Sequence, residues 1–311
     1  MTIGIDIGGT KTAVAGLDPE GRVVERARFA TTGPAATLAQ LAEIVAGLAG
    51  AEASVIGISA GGLGVAQGLI TGAPNLPGWD DVPVVDYFQK RFGGRAYLMN
   101  DAKACALAEW LYGAGRGCRH LAFLTAGTGM GAGLILDGRL YLGTGNAGEV
   151  GHMRLAPTGP LGYGKAGSFE GFCSGGGIGR WAQDYLREQG RSGGFGRERT
   201  ADVTARDVGE AAAAGDPLAR ELLGRAGERL GEALAILIDL LGLERIILGS
   251  VYVRSQPWLE PGMRRALARE TLPGPLALCQ ILPSALGEAV GNFGAVAVAE
   301  YCSGERTARG A

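Results

Sequence analysis

Two segments of this 311-residue chain share one layout, and that layout restricts the fold more than any other feature. TIGIDIGGTKTAVAGLD (residues 2–18) and HLAFLTAGTGMGAGLILDGRL (residues 120–140) each run from an apolar strand through a Gly/Thr turn into a second strand. Apolar runs of strand length broken by such turns read as adjacent antiparallel strands joined by a tight loop. Two such hairpins predict two related α/β halves facing each other across a cleft. Between them the pattern predicts a strand at 23–29, a helix at 35–49 and a strand at 54–60. A helix near 84–92, a short strand at 96–99 and a helix at 102–113 follow. Asn100-Asp101 falls at the end of that strand and the start of that helix, where α/β proteins place chemistry. The second half is more helical, with helices at 175–189, 204–214 and 216–241. The last of these starts from Asp216-Pro217. A strand from Arg245 then enters the Gly249-Ser250 turn, and a helix over about 286–301 closes the chain.

A chain of this length suits two domains, and 47% hydrophobic against 19% charged residues is enough to bury two cores. The formal charge of −2, with Lys and Arg scattered, gives no footprint for nucleic acid or an anionic membrane as partner. No basic leader and no uninterrupted apolar run of membrane-spanning length is present. Cys105, Cys118, Cys173, Cys279 and Cys302 are odd in number and widely spaced, which predicts reduced thiols and a cytoplasmic location.

Glycine is the compositional outlier, with 56 residues falling in short clusters. Phosphate binding needs converging backbone N–H groups with no side chains in the way, plus a hydroxyl or a cation. Asp6-x-Gly8-Gly9-Thr10-Lys11 and Thr125-x-Gly127-Thr128-Gly129 both meet that requirement. Either alone is a weak signal, because Gly-Gly-Thr turns occur in many hairpins. Together they read as two loops reaching one polyphosphate. Of 29 basic residues only Lys11, Lys90, Lys103 and Lys165 are lysine, and three of these lie in or beside the motif loops. A compact ammonium suits a phosphate, although so few residues could fall there by chance.

In order along the chain, DIGGTK at 6–11, APNLPGW at 73–79, NDA at 100–102, GTGMGAGLILDGRLY at 127–141, GEVGH at 148–152 and SFEG at 168–171 resemble the ROK family of sugar kinases and repressors. The resemblance covers nearly the whole chain. It implies an α/β, two-domain actin-like ATPase (ribonuclease H-like) fold with a central cleft. It also implies a small N-terminal α/β domain at 1–115 plus about 296–311, and a larger C-terminal α/β domain at 116–295. The family's catalytic base is the Asp of the Asn-Asp pair, here Asp101; the same pair after a strand is also an ordinary helix N-cap. Asn100, Glu149, His152 and Glu170 match the family's sugar-hydroxyl contacts, and Asn75 with the Gly61-Gly62 loop would line the same pocket. Asp6 matches the acidic residue near Mg²⁺, acting through water. Thr10 and Thr128 would meet phosphate oxygens of ATP, and the Gly249-Ser250 turn and Gly175-Gly176-Gly177 would lie at adenosine. A small-molecule sugar and nucleotide are the partners expected, within a homodimer.

The resemblance breaks in one place. Many members carry three cysteines after the Glu-x-x-His motif that, with its His, hold a structural zinc. Here Leu161, Tyr163 and Ser168 stand at those positions, and one imidazole does not make a tetrahedral site, so no zinc is expected. Packing of Leu161, Tyr163 and Phe169 then has to hold the loop and orient His152. The function implied is ATP-dependent phosphorylation of glucose or a close relative at its 6-hydroxyl. The rivals are an N-acetylhexosamine kinase and a non-catalytic sugar sensor. Only five residues precede Asp6, which leaves no room for the helix-turn-helix of the family's repressors.

Overall fold

The computed structural model describes residues 1–49, 55–62 and 68–304. Its first sheet joins β1 (Thr2–Ile7), β2 (Lys11–Leu17), β3 (Val23–Ala30), β4 (Val55–Ala60) and β5 (Arg95–Asn100) in the order β3-β2-β1-β4-β5. β1 runs antiparallel to β2 and parallel to β4, and β4 runs parallel to β5. The expected strand at 54–60 is observed as β4; residue 54 lies outside the described residues. Helices α1 (Pro34–Ala49), α2 (Val84–Phe92) and α3 (Asp101–Tyr112) follow their predicted spans to within a residue.

Strand alternation decides what this sheet can hold. Ile3, Ile5 and Ile7 point to one face and are buried with Leu38, Leu41 and Val45 of α1 and with Phe88 of α2. Gly4 and Asp6 point to the other face, in register with Gly57 and Ser59 of β4. That face receives the last helix, which the sequence pattern starts at 286 but which begins at Val290, after a 3-10 turn with Gly287 at φ +53°.

The second sheet has the order β12-β11-β6-β7-β8. Its members are β6 (Leu121–Thr125), β7 (Gly131–Leu136), β8 (Arg139–Leu140), β11 (Arg245–Leu248) and β12 (Gln280–Pro283). β11 lies parallel to both β6 and β12. Leu121 to Leu124 and Ile246 to Leu248 are all buried, as expected of parallel strands covered on both faces. Between β8 and β11 come the short pair β9 (Leu161–Gly162) and β10 (Lys165–Ala166). Helices α4 (Phe169–Cys173), α5 (Gly175–Glu188), α6 (Ala205–Ala213) and α7 (Pro217–Leu241) follow. α8 (Val251–Glu270), α9 (Pro273–Leu278) and α10 (Val290–Ser303) complete the chain. No helix among the described residues is long and apolar enough to cross a membrane.

The chain divides into two compact units. One comprises Met1–Arg119, Gly133–Ala147 and the chain from Ser284, and the other His120–Ala132 and Gly148–Pro283. Within the first, α10 packs directly on sheet backbone. A Cβ at Gly57 would come within 2.1 Å of the Ala295 carbonyl oxygen, and one at Gly4 within 2.6 Å of the Val296 nitrogen. Gly57→Ala is expected to lower unfolding stability by about 1–3 kcal/mol, the usual cost of overpacking. A denaturant midpoint equal to that of the wild type would contradict this close approach.

Candidate active site

In the first unit the β1–β2 turn is shaped by its own backbone and by two neighbours. Gly8 N–H donates to the Lys11 carbonyl at 3.0 Å, and the Thr31 hydroxyl donates to the Gly8 carbonyl at 2.6 Å. Thr31 also meets the Thr12 hydroxyl at 2.8 Å. Sequence reasoning missed Thr31, which lies just beyond β3 and carries no motif. The segment with Asn75 is anchored by buried Trp79, whose indole N–H donates to the Thr32 carbonyl at 3.0 Å. This brings the Asn75 carbonyl to 2.3 Å from where a Gly9 Cβ would stand, so only glycine fits there. The amides of Gly9 and Thr10 make no hydrogen bond among the described residues, and Gly9, Thr10 and Lys11 are exposed. A phosphate could take those donors.

Asp6 lies at the end of β1 on the face covered by α10, and a Cβ at Gly291 would fall 2.4 Å from its Oδ2. Burial pushes its carboxyl up to about 6. Ser59 opposes the shift, the charge of Asp101 adds to it, and Lys11 and Arg28 reduce it. The buried Ser59 hydroxyl has no hydrogen-bond partner among the described residues, so it acts on Asp6 as a nearby dipole short of a true hydrogen bond. A carboxyl held partly desolvated beside a second one is poised for a cation, and Asp6 suits the Mg²⁺ role on that ground.

The pKa also carries a stability cost. Because the folded value lies above the ordinary 3.8, the native state binds the proton more tightly, and stability falls as pH rises from about 4 through 6. Asp6→Asn should therefore raise unfolding stability at about pH 7.5 by on the order of 1–3 kcal/mol, an advantage that disappears near pH 4. Denaturant unfolding at both pH values checks this; a difference that does not change with pH would contradict it.

Asn100 and Asp101 divide the work at the start of α3. Asn100 is the N-cap: its Oδ1 accepts from the amides of Ala102 at 3.1 Å and Lys103 at 3.4 Å, while its Nδ2 donates to the Gly62 carbonyl at 3.3 Å. Asp101 is thereby released from capping. Its Oδ1 accepts from Ala102 N–H at 2.8 Å. Its Oδ2 makes no hydrogen bond among the described residues and points over Gly61, where a Cβ would stand 4.0 Å away. The residue keeps solvent access, yet dense protein around it raises its carboxyl above the ordinary value, with the Ala102 amide opposing. The structure thus brings Asp6, Ser59, Gly61, Gly62, Asn100 and Asp101 together within the first unit.

The second unit carries the other loop. Gly175 N–H donates to the Gly127 carbonyl at 2.7 Å and Gly176 N–H to the Thr128 carbonyl at 3.2 Å, so the N-terminus of α5 holds the loop from behind. Glu170 holds it from another side, one carboxylate oxygen accepting from Met130 N–H at 3.0 Å. The amides of Gly127, Thr128 and Gly129 make no hydrogen bond among the described residues. Carbonyls tied inward with free amides form a phosphate cradle. Gly249 N–H donates to the Leu124 carbonyl at 2.9 Å. Ser250 follows it at φ +55° and ψ −116°, a strained conformation for a non-glycine residue, and its hydroxyl meets that of Thr125 at 3.2 Å.

Glu149 caps the start of a 3-10 turn, Val150–His152, and His152 ends it; both are exposed, with Glu170 nearby: a Cβ at Gly151 would lie 3.3 Å from the Glu170 Cβ. The positions where zinc-bearing proteins place cysteines are otherwise employed here. Ser168 caps α4, its buried Oγ accepting from Gly171 N–H at 3.1 Å. Tyr163 occupies the β9–β10 turn, and Leu161 offers its carbonyl to the Arg180 guanidinium at 2.9 and 3.1 Å. Cys173 is sealed in the core, its thiol on the Ala226 carbonyl at 3.5 Å and its pKa driven far up by burial. No cluster of three or more His, Cys, Asp or Glu suited to a metal occurs among the described residues.

Comparison with known proteins agrees with this architecture. The sequence model of the ROK family matches residues 2–301. The glucokinase of Thermotoga maritima is 31% identical over 306 residues, covering 95% of this chain and 96% of that protein. An N-acetylmannosamine kinase of Yersinia pestis is 31% identical over 277 residues, covering 88% and 89%. A solved ROK glucokinase from Streptomyces griseus, in complex with glucose and AMPPNP, superposes with a TM-score of 0.79 at 31% identity over 96% of this chain and 99% of that one.

Proposed function

The chain belongs to the ROK family and is a sugar kinase, and from that premise we propose that it transfers the γ-phosphoryl group of ATP to the 6-hydroxyl of glucose or a close relative. The observation that carries the reading is Asp101 Oδ2: a partly desolvated carboxylate oxygen, without a partner among the described residues, beside the Gly61-Gly62 loop. In the proposed reaction the sugar hydroxyl forms an O–P bond to the γ-phosphorus and the bond to the leaving oxygen of ADP breaks. Asp101 receives the hydroxyl proton as the nucleophile loses it. Its raised carboxyl makes it a better proton acceptor than an ordinary Asp.

The other residues bind and orient. Asn100 is half spent on its cap and on Gly62, which leaves one amide N–H for a hydroxyl. Glu149, His152 and Glu170 supply further hydroxyl contacts, Glu170 with the oxygen not engaged by Met130. The free amides of Gly9, Thr10, Gly127, Thr128 and Gly129 receive phosphate oxygens, with the Lys11 ammonium alongside. Gly249 borders the nucleoside. Asp6 would hold Mg²⁺ through water, and the ion supplies charge neutralisation on the nucleotide phosphates when bound.

An N-acetylhexosamine is the second candidate substrate, favoured by the N-acetylmannosamine kinase relative. Measuring kcat/KM by ADP release for glucose, mannose, N-acetylglucosamine and N-acetylmannosamine separates the two. The reading predicts glucose at the head of the series; an N-acetylhexosamine at its head would replace the substrate while leaving the role of Asp101 intact.

A further inference from the structure

Among the proposed sugar contacts His152 has the least support of its own, because it is exposed and sits at the end of a single 3-10 turn. An imidazole binds a hydroxyl well only if its ring is held in one orientation. What holds it is the β9–β10 pair, whose register sets Lys165 opposite Gly162 and Ala166 opposite Leu161. The two residues between the strands, Tyr163 and Gly164, have φ of +47° and +75°, so this is a two-residue turn with both central residues left-handed. Such turns favour Asn or Asp followed by Gly, and a tyrosine at the first position is strained. That strained side chain is 56% exposed, so it does not serve the core. Its ring instead stands edge-on to the imidazole of His152, with centroids 5.0 Å apart and planes at 77°. The neighbouring Lys165 ammonium donates to the His152 carbonyl at 2.6 Å.

The hairpin is itself well fixed. Arg154 donates to the Ala166 carbonyl at 2.7 Å, and Arg180 holds Leu161 on the opposite strand. Leu155 N–H donates to the Gly167 carbonyl and Phe169 N–H to the Met153 carbonyl, at 2.9 and 2.8 Å. A Cβ at Gly162 would strike the Gly171 amide at 2.4 Å, so the hairpin lies directly on the start of α4, next to Glu170. A rigid base therefore presents one aromatic edge and one ammonium to one histidine.

We propose that the Tyr163–Gly164 hairpin is a metal-free clamp for His152, with Tyr163 the positioning residue that sets the imidazole's orientation toward a sugar hydroxyl. The proposal rests on the reading of His152 as a sugar contact. It explains why a residue poorly suited to the turn stands there: the ring's contact with His152 is retained at the expense of backbone comfort.

Turn preference and ring contact make opposite demands at this position, which gives a clean test. Tyr163→Asn relaxes the turn and removes the ring, whereas Tyr163→Phe keeps the ring and loses only the hydroxyl. The expected result for Tyr163→Asn is a melting temperature equal to or above that of the wild type. KM for glucose should rise about two- to tenfold, the range of an aromatic pair, with kcat within about twofold. Tyr163→Phe should match the wild type in both. The chain has 2 histidines, so the imidazole ¹H resonances of His152 can be assigned against His120 with one substitution. In the sugar-free protein the imidazole should show the NOEs of one ring rotamer in the wild type and in Tyr163→Phe, and rotamer-averaged NOEs in Tyr163→Asn; the chemical shift alone does not count, because loss of the Tyr163 ring current moves it in any case. A single ring rotamer of His152 in Tyr163→Asn, or an unchanged KM, would overturn the clamp. A KM that rises only alongside a lowered melting temperature would overturn it as well, by making the effect one of general hairpin integrity. If the wild type binds none of the hexoses by calorimetry, the functional reading fails, and the rotamer measurement, which needs no sugar, still decides the clamp.

Discussion

Replacing Asp101 with Asn should lower kcat by about 10²–10⁴ while leaving the affinity for sugar within about threefold. The asymmetry follows from the division of labour at the start of α3. Capping is done by Asn100, so nothing in the helix depends on a charge at position 101. An asparagine can keep the contact with Ala102 N–H through its own carbonyl oxygen. The second oxygen is what changes: it becomes an NH₂ group that cannot accept the hydroxyl proton. Because burial raises the Asp101 carboxyl, the charged form is the costly one near neutral pH, and the variant should be at least as stable as the wild type. Sugar affinity by calorimetry and kcat by ADP release check the two halves separately. More than a tenth of wild-type turnover in a folded variant that binds sugar would contradict Asp101 as the base.

The second large effect lies away from the chemistry. Glu109→Ala should cost roughly 3–5 kcal/mol of stability, because its fully buried carboxyl satisfies three donors. Oε1 accepts from the Ser284 hydroxyl at 2.5 Å and from Leu286 N–H at 3.1 Å, and Oε2 accepts from Ala114 N–H at 2.8 Å. The Glu109 backbone carbonyl also takes the amides of Gly113 and Gly115. One residue thus fastens the chain as it leaves α3 and as it re-enters the first unit at Ser284. Alanine removes the acceptor of one buried hydroxyl and two part-buried amides, whereas Glu109→Gln keeps an acceptor and should cost less. Guanidinium unfolding of both variants tests this; equal losses, or a loss below about 1 kcal/mol for alanine, would contradict the account.

What could be read in the sequence follows the length over which each signal repeats. The Asp6 to Thr10 turn and helices α1, α2, α3, α5, α6 and α7 were legible from apolar periodicity and cap residues, as Asp216 and Pro217 at the start of α7 illustrate. α8 was not, because Pro257 and Pro261 read as breakers. The chain accommodates them in a helix with a kink at Ser255. The β9 and β10 strands have two residues each, too few to show alternation, and a tyrosine hides their turn. At the site, motif order singled out Asp101 and Asn100, and the structure assigns the cap to Asn100, which leaves Asp101 for the proposed role of base. Glu109 was missed, although a lone acid within AKACALAEWLY was the available signal: a carboxyl on an apolar helix needs buried partners. Ser59 was missed because its importance comes from parallel register with Asp6, a pairing that no local pattern reveals.

The central claim is that this chain makes a hexose 6-phosphate from ATP through Asp101. The most direct measurement is ³¹P and ¹³C NMR of the product formed from glucose, Mg²⁺ and ATP by the wild-type protein and by Asp101→Asn. The account predicts one sugar phosphate ester, coupled to C6 and formed one-for-one with ADP, and almost none with the variant over the same interval. ATP consumed without a sugar ester, an ester at another carbon, or equal product from Asp101→Asn would contradict it.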